Sequence, residues 1–435
     1  MIQPRIFKGA RDFLPEQMLH REHIVATMRQ IFKKYGYAPI ETPAIEYLDI
    51  LTGKYGEEAD RLIYKLNYKT GTKDEAALHY DLTVPFSRMV AMNNDLPVPF
   101  KRYQIQPVWR ADRPQPHQGR FREFYQCDVD CVGTASMLIE AELIAITYEV
   151  LASLQIPDFL IKINNRKILN GITQYIGLDE TYVGDICISI DKLDKVAWSE
   201  VAAELASKKI DTTAIQKLHQ LLSKEINLQQ LKTELAEIAI AQEGISELEE
   251  IFKYLEVLGI PNQYYTFDIS LARGLDYYTG PIFETKLPKH PHIGSLNGGG
   301  RYNGLIASFG GRDLPAVGTS LGLDRIFTAM QQLNLLQEVK TSTQVLVANF
   351  GDDTLDAALK LVKELRANNI NTELYPESTK MKKQFAYCDK KQIPFMAILG
   401  GDEIKQEKIT LKNMSKSEQQ TYTFDEALSI IRNSI

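Results

Sequence analysis

The chain has 435 residues, 44% of them hydrophobic and 24% charged, an ordinary globular composition long enough for two or three domains with full cores. Its formal net charge of −6 argues against a wholesale polyanion binder, yet a local basic patch can still grip phosphates. No apolar run reaches the roughly 18–20 residues of a membrane span, so a soluble protein without membrane association is expected.

The opening, MIQPRIFKGARDFLPE, lacks a charged-then-apolar signal segment, and the cytoplasm is the expected compartment. Residues from about Glu16 to Tyr35 predict an amphipathic helix, with Ile24, Met28, Ile31, Phe32 and Tyr35 at helical spacing. In the extended stretch YAPIETPAIEYLDIL, Pro39 and Pro43 suit an edge or interface strand. Short strands follow at Leu62–Leu66 and Ala76–Asp81 around the turn TGTKDE. Lys101–Arg110 and Arg120–Asp130 predict a long hairpin about a polar loop, and Ser136–Leu154 a strong helix. After a strand at Ile161–Asn164, residues 171–250 are rich in Leu, Ala, Glu, Lys and Gln, which predicts a helical insertion within one split domain.

Strand and turn patterns resume at Tyr264, and Ile326–Glu338 leads through a polar stretch into a different kind of sequence. Val345–Ala348 and Phe395–Leu399 are continuous apolar runs. The first precedes a helix carrying Leu355, Leu359, Val362 and Leu365, and the second follows a helix over Ser378–Lys391. Such alternation predicts a small α/β domain with a parallel or mixed sheet. On the Ser378–Lys391 helix Lys380, Lys383, Tyr387, Lys390 and Lys391 form a stripe backed by Met381, Phe385 and Cys388; it would either meet phosphates or be a solvated face. Four cysteines are too scattered for a disulfide framework, and Cys127 and Cys131 have no second Cys/His pair nearby to complete a zinc site.

The most informative segment is KRYQIQPVWRADRPQPHQGRFREFYQCDVDC. Alternation along a strand puts Arg120, Arg122, Phe124, Gln126, Asp128 and Asp130 on one face, and Phe121, Glu123, Tyr125, Cys127, Val129 and Cys131 on the other. The polar face would either meet water with surface ion pairs or line a cleft. Arg110 precedes the loop, and Asp112 and Arg113 lie in it. Arginine forks hold phosphate oxygens bidentately, and Phe124 offers a flat face to a base.

Arg110-Ala-Asp112 followed by GRFREF resembles the second signature motif of class II aminoacyl-tRNA synthetases, and FYQCDVD resembles the histidyl-tRNA synthetase version of it. LARGLDYYTG (Leu271–Gly280) and NGGGRYNGL (Asn297–Leu305) are similar to two signatures of that family. The glycines of the second permit close backbone approach and positive φ. VGTSLGLDRI, with Gly318, Gly322 and Arg325, resembles the third class II motif. The Glu16–Tyr35 helix with the segment carrying Pro43 corresponds to the first, which forms the dimer interface in the family. HYDLTVPFSR (His79–Arg88) resembles the family segment that holds the substrate α-amino group. His79 and Asn303 depart from the usual arginine and aspartate.

The resemblance implies an α+β fold. It comprises a class II catalytic core with a mixed, mainly antiparallel sheet (1–170 and 251–335), a helical insertion (171–250) and an α/β anticodon-binding domain (341–435). It implies a homodimer that activates L-histidine with ATP, with Mg²⁺ bridging phosphates, and then loads tRNA(His). Arg110 and Arg273 would be catalytic. Asp81, Leu82, Thr83, Arg110, Gln126, Asp130, Arg273, Tyr277, Tyr278 and Tyr302 would bind histidine, and Arg110, Asp112, Arg120, Phe124 and Arg325 would bind ATP. The carboxylate that attacks the α-phosphate is already ionised, so the need is for positioned cations rather than a general base. A slot that hydrogen-bonds both imidazole nitrogens rejects apolar analogues by roughly 10⁴–10⁵, so no editing domain is expected. The alternatives are a catalytically inactive, histidine-sensing regulatory paralogue, and a class II enzyme for proline, threonine or glycine. HIGS (His292–Ser295) and NMSKS (Asn413–Ser417) are similar to class I signatures, but they lack the strand-to-helix setting that those motifs require.

Overall fold

The computed structural model describes residues 2–54, 60–67, 75–194, 196–223, 226–272, 277–336 and 339–434. The chain divides into two compact units. One comprises Met1–Asp12 with Ile24–Leu335, the other Phe13–His23 with Leu336–Ile435.

The larger unit is built on a mixed sheet whose described strands are β1 (Ala38–Pro39), β4 (Phe100–Trp109), β5 (Glu123–Val132), β6 (Leu160–Asn165), β7 (Tyr265–Phe267), β8 (Pro281–Lys286), β9 (Asn297–Arg301) and β10 (Ala316–Gly322). Their order is β1-β4-β5-β10-β9-β8-β6-β7, with only the two outermost pairs parallel. A separate ladder pairs β2 (Ile45–Tyr47) with β3 (Ala76–Leu78). The helix expected near the N-terminus is α1 (Pro15–Lys34). Its Ile24, Met28, Ile31 and Phe32 are buried at the anticipated spacing, with Lys33 and Lys34 at the negative end of its dipole.

Two expectations for the next segment fail. The extended stretch breaks after β2 into a short helix, α2 (Leu48–Leu51), because Leu48 and Leu51, three apart, both turn into the core. Leu62–Leu66 makes a single bridge, Lys65 to Ala77, instead of a strand. The turn expected within TGTKDE lies mostly outside the described residues.

The helix α3 (Thr83–Met92) follows the HYDL segment, and α4 (Leu138–Ser153) packs under β10. Between β6 and β7 the described chain is helical, from α5 (Arg166–Tyr175) through α6 (Val183–Asp191), α7 (Trp198–Ser207), α8 (Thr212–Leu222) and α9 (Leu228–Glu234) to α10 (Ala239–Val257). The Asn165 side chain starts this run by accepting from Lys167 N at 3.0 Å. The helix α11 (Leu323–Gln332) leaves the sheet directly from β10.

The smaller unit has the sheet order β12-β11-β13-β14-β15, formed by β11 (Val345–Val347), β12 (Thr372–Leu374), β13 (Phe395–Ile398), β14 (Ile409–Asn413) and β15 (Glu418–Tyr422). The first two pairings are parallel and the last two antiparallel. Around it lie α12 (Asp352–Ala367), α13 (Met381–Lys390), α14 (Gly401–Lys405) and α15 (Phe424–Asn433). The buried face of α12 is Thr354, Ala358, Leu361, Val362 and Leu365; Leu359, expected inside, is exposed because it falls on the neighbouring face, beyond the edge of that stripe. Cys388 is buried and Met381 and Phe385 pack beside it, as the lysine stripe on α13 predicted. Part of that stripe is tied up, because Lys391 pairs with Glu373 and the Tyr387 hydroxyl donates to Glu373 at 2.9 Å. Among the described residues no helix is long and apolar enough to cross a membrane.

Candidate active site

A cavity of about 700 Å³ opens on the face of the sheet formed by β5, β8, β9 and β10. Its long wall is β5. Phe124, Gln126, Asp128 and Asp130 all line the cavity, whereas Cys127, Val129 and Cys131 are fully buried behind them. Alternation holds only once the strand has begun at Glu123. Arg122, expected on the cavity face, instead reaches back to donate to the Asp112 carbonyl oxygen at 2.9 Å. At about 3.4 Å per residue, Phe124 and Asp130 stand roughly 20 Å apart along one wall.

The Phe124 end is cationic. Arg110 sits between two rings, its guanidinium carbon 4.3 Å from the Tyr80 centroid and 5.1 Å from that of Phe124. Its Nε donates to the Tyr80 carbonyl oxygen at 3.0 Å and Nη2 to Gln126 Oε1 at 3.3 Å. Arg120 is exposed and pairs with Asp112. Across the cavity, Arg325 at the start of α11 donates to the Ser295 carbonyl oxygen at 2.8 Å. Its neighbour Asp324 is buried, where it pairs with Arg11 and accepts from Tyr125 N at 2.8 Å. One carboxylate therefore ties the N-terminal segment, the hairpin and α11 together.

The other end is acidic and rich in hydroxyl groups. Asp81 is buried; its Oδ1 accepts from Val84 N at 3.1 Å at the positive end of α3, and its Oδ2 from the Tyr277 hydroxyl at 3.1 Å. Asp130 accepts from the Tyr302 hydroxyl at 2.6 Å and faces a buried guanidinium, Arg102 on β4, at 2.9 Å. Gln126 Nε2 donates to Ser320 Oγ at 2.8 Å, and the Ser320 hydroxyl is hydrogen-bonded to Asp128. Burial pushes the Asp128 carboxyl up to about 7, against the attraction of Arg102. Burial also raises Asp130, opposed by Arg102 and by the Tyr302 hydroxyl. It raises the Tyr278 and Tyr302 phenols too, with Asp130 adding to the effect.

Close backbone approach decides the glycines here. A Cβ on Gly299 would overlap the Phe283 ring and the Gly318 carbonyl, and one on Gly300 would lie 2.8 Å from the Pro281 carbonyl oxygen. The two residues that follow part company. Tyr302 lines the cavity, whereas Arg301 forms a buried pair with Glu140, at 2.6 and 2.9 Å.

Of the residues expected to act, Asp81, Thr83, Arg110, Asp112, Arg120, Phe124, Gln126, Asp130, Tyr277, Tyr278, Tyr302 and Arg325 all line this cavity. Leu82 does not, since its side chain is fully buried in the core. Arg273 lies outside the described residues. The sequence reading put Asp128 on the right face without a role, and passed over Ser320 and Arg102; the signal for both was cross-strand register, Ser320 opposite Asp128 and Arg102 opposite Asp130. The departures from the motifs are accommodated. The ring nitrogens of His79 lie 3.1 and 2.8 Å from the Pro43 and Pro107 carbonyl oxygens, and Asn303 Oδ1 accepts from Ala316 N as an aspartate oxygen would. HIGS lies in a short 3₁₀ turn and the loop before β9 and supplies the carbonyl that Arg325 meets, while NMSKS is the turn between β14 and β15.

The family profile described as Histidyl-tRNA synthetase matches residues 9–326, and one described as Anticodon binding domain matches residues 344–434. The chain belongs to the histidyl-tRNA synthetase family. It is 46% identical to a histidine–tRNA ligase of Cytophaga hutchinsonii, over 98% of this chain and 99% of that one. Identity to the histidine–tRNA ligase of Phocaeicola vulgatus is 45%, over 99% of each. The crystal structure of a histidyl-tRNA synthetase from a Nostoc species superposes with a TM-score of 0.88 at 33% identity, each chain fully covered. The class II, α+β architecture is thereby established. The inactive regulatory alternative has no support among these relatives, which carry the ligase name along their full length.

Proposed function

We propose that the two ends of this cavity divide the work of histidine activation, the cationic end taking ATP and the acidic end taking histidine. The chain acts as a histidine–tRNA ligase. Histidine and ATP give histidyl-adenylate and pyrophosphate, and the terminal hydroxyl of tRNA then attacks the adenylate. The observation that carries the assignment is the gradient along β5, from Phe124 beside Arg110 to Asp130 beside Tyr302.

Phe124 stacks on adenine, while Arg110, held by two rings and two hydrogen bonds, meets the α-phosphate as negative charge builds there. Arg120 and Arg325 hold the outer phosphates, and Asp112 orients Arg120. The negative charge of the outer phosphates would be neutralised further by Mg²⁺ brought with ATP, beside Arg120 and Arg325; among the described residues no group of three or more His, Cys, Asp or Glu forms a site for the ion on its own. Asp81 and Thr83 take the α-amino group, with Tyr277 steadying Asp81. Gln126, Asp130, Tyr278 and Tyr302 surround the imidazole, and Leu82 serves through its backbone. Arg273 supplies a second cation to the α-phosphate. The C-terminal unit contacts the anticodon arm of tRNA(His). Two copies associate through the region of α1 and Pro43, which a sedimentation measurement of mass would test. The working compartment is the cytoplasm.

Histidine-dependent exchange of pyrophosphate into ATP tests the core of this reading. Arg273→Ala is expected to abolish exchange while both substrates still bind, and near-normal exchange would overturn its role. Asp130→Ala is expected to weaken histidine binding with ATP affinity kept; unchanged histidine affinity would refute that assignment.

A further inference from the structure

Arg102 does not touch the cavity. It stands behind the floor on β4, with no exposed surface, and its guanidinium carbon lies 4.2 Å from the centroid of the Phe86 ring. Nη2 reaches Asp130 Oδ2 at 2.9 Å and, more distantly, the Leu82 carbonyl oxygen at 3.5 Å. Its Nε and Nη1 are buried and have no hydrogen-bond partner among the described residues. A guanidinium so placed is costly to desolvate, and an apolar side chain of the same bulk would serve the core better. Stability therefore does not account for it.

Its effect on the two carboxyls in front of it does. One guanidinium faces Asp130 directly, and Asp128 lies one step along the same face of β5. Asp130 also receives the Tyr302 hydroxyl at 2.6 Å, whereas Asp128 has Ser320, and its burial pushes its carboxyl up to about 7. Among the described residues Asp81 and Tyr278 also face the pair, and Tyr37 and Cys131 feel the charge of Asp130. Among the described residues the guanidinium and the Tyr302 hydroxyl both meet Asp130 directly, so the negative charge is favoured on Asp130 over Asp128.

We propose that Arg102 is a positioning residue for amino-acid recognition: without touching the substrate, it holds Asp130 as a carboxylate turned to the slot, the acceptor for an imidazole N–H. The proposal rests on the assignment of Asp130 to the histidine ring. It makes the slot demand a ring donor at that point, because an ionised carboxylate left without one is buried and unsatisfied.

A double-mutant cycle separates this proposal from the assignment beneath it. Arg102→Met is expected to raise the KM for histidine about a hundredfold in pyrophosphate exchange, with the KM for ATP held. It also moves the acid limb of the kcat/KM profile for histidine to higher pH, because Asp130 loses its cation. On an Asp130→Asn background the same change has little further effect on the histidine KM. If Asp130→Asn alone leaves that KM unchanged, the assignment of Asp130 fails. If Asp130→Asn raises it but Arg102→Met does not, or the two effects simply multiply, the role of Arg102 fails. Should Arg102→Met not fold by circular dichroism, Arg102→Lys decides: a roughly tenfold rise that vanishes with Asp130→Asn supports positioning, and an unchanged KM overturns it.

Discussion

The Asp130 carboxylate occupies the space that a side chain on Gly318 would need. The two residues are directly opposite in the β5–β10 ladder, and a Cβ added at Gly318 would overlap Asp130 Oδ1 and the carboxyl carbon. Gly318→Ala is therefore expected to rotate Asp130 out of place and raise the KM for histidine at least tenfold, an energy of roughly 1.4 kcal/mol or more, while ATP binding is kept. Initial rates of exchange at varied histidine check this. A wild-type histidine KM would mean that the carboxylate has room to move without consequence.

Asp128 links stability to pH. Its carboxyl titrates near 7 in the fold and about 3.9 when unfolded. A folded value above the unfolded one means that its contribution is complete below about pH 4 and is lost as pH rises through about 7. Asp128→Asn lacks that loss. Its stability advantage over the wild type should widen by on the order of 2 kcal/mol between about pH 5.5 and pH 8. Thermal transitions at the two pH values test it, and an advantage that stays constant would show that Asp128 does not carry the proton.

Phe124→Ala should raise the KM for ATP by roughly tenfold to a hundredfold, since base–aromatic stacking contributes about 1–3 kcal/mol. Histidine binding measured without ATP should be unaffected. Equal loss of affinity for both substrates would point to collapse of the hairpin and remove Phe124 from nucleotide recognition.

The Arg301–Glu140 pair predicts a different outcome. Both side chains are buried, and burial pushes the Glu140 carboxyl up while Arg301 pulls it down. Arg301→Ala leaves Glu140 without its cation and should cost about 3–5 kcal/mol, read as a lowered thermal transition. Because Arg301 points away from the cavity, the folded fraction at low temperature should keep the wild-type KM for histidine. A large change in that KM at unchanged stability would put Arg301 in the site after all.

What could be read in advance followed from periodicity, and what could not followed from register. Alternation along β5 was enough to gather Phe124, Gln126, Asp128 and Asp130 on one wall, because a strand fixes side-chain direction every second residue. The same rule misplaced Arg122, since it was extended past the point where the strand begins. Leu359 was misplaced on α12 because the buried stripe runs through Leu361, and short apolar patterns do not distinguish neighbouring faces of a helix. Arg102 was invisible. Nothing in KRYQIQPVW marks one arginine as buried, and only the pairing of β4 with β5 brings it beside Asp130. The family motifs identified the reaction, but they did not reveal which groups stand behind the ones that line the cavity.

The ring of Phe124 is shared. Arg110 already lies against it, so an adenine stacked there would use the opposite face, and the two partners would be coupled through a single π-system. An electron-withdrawing substituent on that ring would loosen the guanidinium and alter the hold on the base together. Recognition of the purine and readiness for phosphate chemistry are then not separate properties of this enzyme, and engineering one without the other would have to begin elsewhere.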